Sequence, residues 1–202
     1  MSIEDVIEPC FGEGAFIKNL IGKPKNIDAI DTYVHDIFYI MQVHIKNNIH
    51  INFNSCIIQP NNRKVLLFQT EYDATINNPP YGLKFTQEYR KIMIGAFSNV
   101  YAKESYALFF YFTLKTLKKG GRYVFFIGGL TYKITNLRYM RHFILQSAKP
   151  SHIIQFKSRR FGSVNFGYSN MCIIAGNVGS LGTDCEVNWI DAVDSNQPLL
   201  RP

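Results

Sequence analysis

Residues 76–82 read Ile-Asn-Asn-Pro-Pro-Tyr-Gly, and within them Asn78, Pro79, Pro80 and Tyr81 put an amide, free carbonyl oxygens and an aromatic ring side by side. Adjacent prolines fix φ and remove two N–H donors, so the turn is stiff and its carbonyls have no local competitor for a ligand. The Asn78 side-chain oxygen and the Pro79 carbonyl are suited to accept both hydrogens of one exocyclic NH₂, while Tyr81 offers a face on which a planar ring stacks. The plain alternative is an Asn-Pro turn with a packed tyrosine.

A second segment lies near the N-terminus, where residues 6–16 form a short apolar strand, a turn carrying Gly12 and Gly14, and an amphipathic helical start. Glycines at these positions let a ligand approach the backbone, and a helix N-terminus behind them presents unpaired N–H groups. The third glycine of the dinucleotide fingerprint is absent, and Glu8 and Pro9 precede the loop. An acid at that point suits a ligand bearing positive charge better than a pyrophosphate.

Glu8-Pro9 followed by Gly12 and Gly14, and later by Asn78-Pro79-Pro80-Tyr81, resembles the class I S-adenosylmethionine-dependent methyltransferases, specifically the gamma-type adenine DNA methyltransferases, over about residues 6–177. The resemblance implies that Glu8, Pro9, Gly12 and Gly14 hold the methionine part of S-adenosylmethionine. It implies that Asp31, ending a strand over residues 26–31, binds the ribose hydroxyls, with Asp28 the weaker candidate. Where the family carries an acid after the third strand to accept from the cofactor's adenine amine, this chain offers Asn54, which accepts the same bond without charge.

On the same ground Asn78, Pro79, Pro80 and Tyr81 are catalytic, and the reaction is methyl transfer to the exocyclic amine of an adenine flipped out of duplex DNA. In residues 157–166, cations and aromatics alternate in a glycine-containing loop. The resemblance makes Phe161 the aromatic opposite Tyr81 on the extruded base, with Phe166 second, and sets Lys157, Arg159 and Arg160 against phosphates. A separate specificity subunit or target-recognition domain is an expected partner, in a restriction-modification context. Two other functions stay open: methylation of a cytosine amine or a protein glutamine, and a catalytically weak module that docks DNA or a partner.

Elements alternate in a way that can position these residues. A helix is expected over 104–119, stopped by Gly120 and Gly121, then a strand over 122–129, a helix over 136–148 from an Asn136 cap, and strands over 152–157 and 171–175 that pair as a hairpin. The fold class is α/β: a Rossmann-like class I methyltransferase fold, with a mostly parallel central sheet and a terminal antiparallel hairpin. Residues 1–180 read as the catalytic domain and 181–202 as a C-terminal strand or connection, without a target-recognition domain.

Composition is compatible with this and excludes other classes. With 202 residues, 47% apolar and 18% charged, the chain suits one globular domain, and its net charge of +7 favours a polyanionic partner. The apolar runs are too short to span a bilayer, and the acidic start is no signal peptide. Cys10, Cys56, Cys172 and Cys185 have neither metal-ligand spacing nor pairing, as expected of reduced cytoplasmic thiols, and no metal is expected.

Overall fold

The computed structural model describes residues 3–12, 14–20, 24–31, 50–55, 72–82, 86–88, 91, 94, 104–129, 137–157, 170–179 and 186–192. Eight strands are described: β1 (Asp5–Glu8), β2 (Asn26–Asp31), β3 (His50–Ser55), β4 (Tyr72–Asn77), β5 (Leu117–Gly128), β6 (Ala148–Lys157), β7 (Asn170–Val178) and β8 (Asn188–Asp191). Two α-helices are delimited among the described residues, α1 (Ser105–Lys115) and α2 (Arg138–Ser147).

The strands form one sheet in the order β3-β2-β1-β4-β5-β7-β6-β8. Pairing is parallel from β3 across to β5, and β7 is inserted antiparallel between β5 and β6. The sheet is thus mostly parallel with an antiparallel hairpin, as expected. β8 pairs parallel with β6, so part of the 181–202 segment joins the sheet.

The strand order reverses between β1 and β4. From β1 the chain runs outward through β2 and β3, then returns to lay β4 on the other side of β1. In open α/β sheets, ligands bind outside the carboxyl ends of the strands at such a point.

Alternation along β1 divides the core between the two faces. Val6 belongs to a cluster with Phe11, Ile17, Ile27, Ala29 and Ala74, whereas Ile7 belongs to the larger one with Tyr106, Phe110, Tyr123 and Phe125. Helix α1 is buried on nearly every side, Lys115 being exposed and Tyr111 half-buried, so its apolar residues show no single stripe.

The amino ends of β1 and β4 are clamped by Asp73. Its Oδ2 accepts from the backbone N–H groups of Glu4 and Asp5 at 3.0 and 3.1 Å, and Oδ1 lies 2.7 Å from Lys118 Nζ. The Lys118 bond, aided by the two backbone donors, holds the buried Asp73 carboxyl down to about 2.

Three expected elements are displaced, each for a local reason. Helix α1 ends at Lys115 because the Tyr72 N–H bonds the Thr116 carbonyl at 2.9 Å and Leu117 pairs with Tyr72, which draws the chain into β5. Gly120, at φ +81°, then bends β5 instead of ending the helix. Helix α2 begins after Leu137, which makes no side-chain cap bond, and Asn136 lies outside the described residues; at the other end Ala148 pairs with Val178 in the sheet. Behind the glycine turn, the described residues form a 3₁₀ turn, Ile17–Asn19, in place of an α-helix. The chain has to turn back early there, because Lys25 and Asn26 already donate to the Glu4 carbonyl, each at 2.9 Å.

Candidate active site

The glycine turn and the proline turn leave neighbouring strands at one edge of the sheet. β1 and β4 pair with Val6 beside Ala74 and Ile7 beside Thr75, so Glu8 ends one strand where Asn77 ends the other. The Thr75 hydroxyl donates to the Ile7 carbonyl at 2.8 Å and ties the two strands just below the edge. Asp31 ends β2 at the same edge, beside Ser55 of β3. The parallel register therefore brings residues 8–12, 14, 31 and 78–81 to one edge, although they lie far apart in sequence.

Within the glycine turn, Glu8 is 1% exposed and Pro9 is buried. Gly12 has φ +52° and a Cβ placed there would meet no atom of the described residues within 4 Å, which leaves room among them for a ligand against the backbone. Gly14 works differently: at φ +69° its N–H closes the turn onto the Phe11 carbonyl at 2.9 Å, and a Cβ would strike the Phe11 ring at 2.9 Å. One glycine thus opens space and the other closes the turn.

In the proline turn, Pro79 is buried and Asn78, Pro80 and Tyr81 are half-buried. The Tyr81 hydroxyl reaches Asn78 Oδ1 at 2.9 Å and the Phe126 carbonyl at 3.0 Å. The Ser105 hydroxyl, at the start of α1, donates to the Pro80 carbonyl. The Tyr81 ring packs against Tyr106, with centroids 5.7 Å apart, and against Phe156 and Met171. The adjacent Asn77 carboxamide is fully buried, with no hydrogen-bond partner among the described residues.

Sequence reasoning missed an aromatic row beside this turn. Phe16 stacks on Phe126 with centroids 5.8 Å apart and 29° between planes, and Phe126 meets Phe156 edge-on at 6.3 Å. The row links the glycine turn, β5 and β6. Its only trace in the sequence is three phenylalanines in unrelated elements, which no spacing rule joins.

Other expected residues are placed less completely. Asn54 lies within β3, paired with Ile30, rather than after the strand, because the ladder continues to Ser55; the side chains of Asn54 and Asp31 lie outside what is described. Asp28 is engaged, since the Tyr72 hydroxyl donates to its carboxylate. Lys157 ends β6, pairs with Asn170, and is half-buried at the same edge as Gly128. Arg159, Arg160, Phe161 and Phe166 lie outside the described residues.

The described residues contain no group of three or more His, Cys, Asp or Glu side chains placed to hold a metal. Burial pushes the Cys172 thiol up to about 12, which keeps it protonated. No described helix is long and apolar enough to cross a membrane.

The sequence profile of the Eco57I restriction-modification methylases matches residues 19–161. No curated protein matches the chain by sequence. Among solved structures, a Vibrio vulnificus protein described as a modification subunit of a type I restriction enzyme aligns with TM-score 0.68 and 15% identity, over 96% of this chain and 44% of its own. A Listeria monocytogenes protein described as a class I S-adenosylmethionine-dependent methyltransferase gives 0.67 and 13%, over 95% of this chain and 59% of its own. The type I restriction-modification methyltransferase subunit of Streptococcus thermophilus gives 0.65 and 15%, over 95% and 42%. The chain thus spans roughly half the length of these structures, which share its fold.

Proposed function

The chain belongs to the Eco57I restriction-modification methylase family, and from that membership we propose that it transfers a methyl group from S-adenosylmethionine to the exocyclic amine of an adenine extruded from duplex DNA. The observation that carries the reading is the proline turn: at the strand-order reversal, Asn78 Oδ1 is held by the Tyr81 hydroxyl at 2.9 Å beside the Pro79 carbonyl. The residues present fit the cofactor. The space over Gly12 and the buried Glu8 that ends β1 ahead of the same turn suit a backbone-hugging ligand with a positive centre.

When bound, the sulfonium supplies its methyl carbon to the amine nitrogen and keeps the electron pair of the broken carbon–sulfur bond. The chain's own part is positioning and electrostatics. Asn78 Oδ1 and the Pro79 carbonyl accept the two amine hydrogens. Held in that way, the nitrogen lone pair is drawn out of conjugation with the ring and aimed toward the cofactor side of the crevice. Tyr81 stacks on the base, and its packing on Tyr106 and Phe156 fixes the plane of that stack. The amine proton lost on methylation passes along the same acceptors to solvent, so no tuned general base is required.

Residues 1–180 form the catalytic domain in this reading, and the protein works in the cytoplasm. Asp31 and Asn54 bind the ribose and adenine of the cofactor. Phe161 meets the extruded base opposite Tyr81, while Lys157, Arg159 and Arg160 contact phosphates. The position of Lys157 and Asn170, the two ends of that loop, at the catalytic edge supports this. Sequence recognition falls to a specificity subunit or target-recognition domain, in keeping with the span of the matched structures.

The test is transfer of tritiated methyl from S-adenosylmethionine, with duplex DNA, RNA and protein offered together, followed by nucleoside analysis. Label in N6-methyladenine supports the reading. Label in a cytosine amine or a protein glutamine would reassign the substrate, and no transfer to any acceptor would refute the activity.

A further inference from the structure

Ser105 is fully buried and is the first residue of α1, directly after the N-cap Glu104, which makes no side-chain cap bond. Its hydroxyl donates to the Pro80 carbonyl, 25 residues earlier. The turn cannot supply that bond from its own prolines, because neither has an N–H. The bond also falls on a particular torsion. Proline rings fix φ at positions 79 and 80, and the prolines that follow Asn78 and Pro79 confine ψ at both to extended values. Of the backbone torsions at the two prolines, ψ of Pro80, which is followed by Tyr81, is the one left unconfined by the sequence. Fixing the Pro80 carbonyl fixes ψ there and with it the peptide plane from which Tyr81 leaves the turn, and the Asn78 and Phe126 contacts of its hydroxyl hold the side chain beyond.

Tyr81 in turn reaches back to Asn78 Oδ1. We propose that Ser105 is a positioning residue for methyl transfer: through the Pro80 carbonyl it sets the aim of Tyr81, and through Tyr81 the orientation of the Asn78 amide that holds the target amine. The inference rests on the reading that the 78–81 turn receives that amine. Ser105 is fully buried behind the turn and acts through the Pro80 carbonyl, so its effect falls on turnover. A misplaced amide costs transition-state contacts while leaving the glycine turn unaltered.

The experiment compares Ser105→Ala, Ser105→Thr and Ser105→Val in the full chain, by methyl transfer to duplex DNA, cofactor calorimetry and thermal melting. Val has the shape of Thr without its hydroxyl, so the pair separates the bond from packing. The expected result is that Ala and Val lower kcat by about tenfold, cofactor Kd stays within about twofold, and Thr returns kcat to within about threefold of the original. Ser105→Ala combined with Tyr81→Phe should fall no further than the worse single variant by more than about twofold, because both cut one chain of contacts. Unchanged kcat in Ser105→Val, equal loss in Thr and Val, or losses that multiply in the double variant would each overturn the proposal. Asn78→Ala in the same assay separates the two readings. Full activity there sinks the function of the turn, whereas lost activity there with intact Ser105→Val sinks only the role of Ser105.

Discussion

The Tyr81 hydroxyl stands 2.9 Å from the side-chain oxygen of Asn78, and this contact, together with a 3.0 Å approach to the Phe126 carbonyl, fastens the acceptor of the proline turn to strand β5. A phenol has one proton, so it donates to only one of the two oxygens at a time. When it donates to Asn78 Oδ1, one lone pair of that oxygen remains for a target amine. Tyr81→Phe keeps the stacking face and loses the tether. Its kcat should fall by roughly three- to tenfold, whereas Tyr81→Ala, which also loses stacking, should fall further by an amount equivalent to about 1–3 kcal/mol. Steady-state kinetics on one DNA substrate decides this, and equal rates for Tyr81→Phe and the original protein would remove the hydroxyl from the account.

Gly12 and Gly14 should separate binding from folding. Gly12→Val places a side chain in open space at positive φ, so the variant should fold with modest loss and fail to bind S-adenosylmethionine. Gly14→Ala strikes the Phe11 ring and should lower the melting temperature instead. Asp31→Ala should weaken cofactor binding by about 1–3 kcal/mol through loss of charge-assisted bonds. Calorimetry on the folded variants checks all three; unchanged affinity in Gly12→Val and Asp31→Ala would move the pocket elsewhere.

Acid sensitivity should reside partly in Asp73. Its Lys118 and backbone bonds lower the folded carboxyl from 3.8 to about 2. The folded state therefore favours the ionised form, and the stability this confers is full above about pH 4 and lost as pH falls through about 2. Its size is on the order of 1–2 kcal/mol once partial solvent screening at Lys118 is allowed for. Asp73→Asn should be less stable at neutral pH, and its urea midpoint should change less than that of the original protein between pH 4 and pH 2. Parallel pH profiles would show that the clamp carries no linkage.

Electrostatic contact with DNA should appear as salt dependence. Each phosphate contact adds roughly −0.9 to the log–log slope, so neutralising Arg159 and Arg160 should make the slope shallower by about two units at most. Phe161→Ala should leave that slope alone and reduce the 2-aminopurine signal of an extruded base. A slope that ignores both arginines would take the loop off the phosphate backbone.

Much of the fold was legible because it rests on local alternation. Val6 and Ile7 send consecutive side chains into different clusters, and residues 152–157 and 171–175 showed the apolar runs that pair as β6 and β7. The ends of elements were less legible, since long-range pairing decided them: Leu117 joins Tyr72 across the sheet, and Gly120, a helix stop by sequence, became a bend within β5. The proline turn and glycine turn were visible as residue strings because proline restricts the backbone and glycine frees it wherever they occur. Ser105 and the Phe16–Phe126–Phe156 row carried no such signal, because their contacts are made only when separate elements converge on one edge.

The central claim is that the Asn78 amide acts on the transition state of methyl transfer to an amine in DNA. Its most direct test measures labelled-methyl transfer to duplex DNA by the original chain and by Asn78→Ala, with cofactor affinity determined for both by calorimetry. The expected result is a fall in kcat on the order of a hundredfold or more, with S-adenosylmethionine affinity within about twofold. Full turnover by Asn78→Ala at unchanged cofactor affinity would contradict the account.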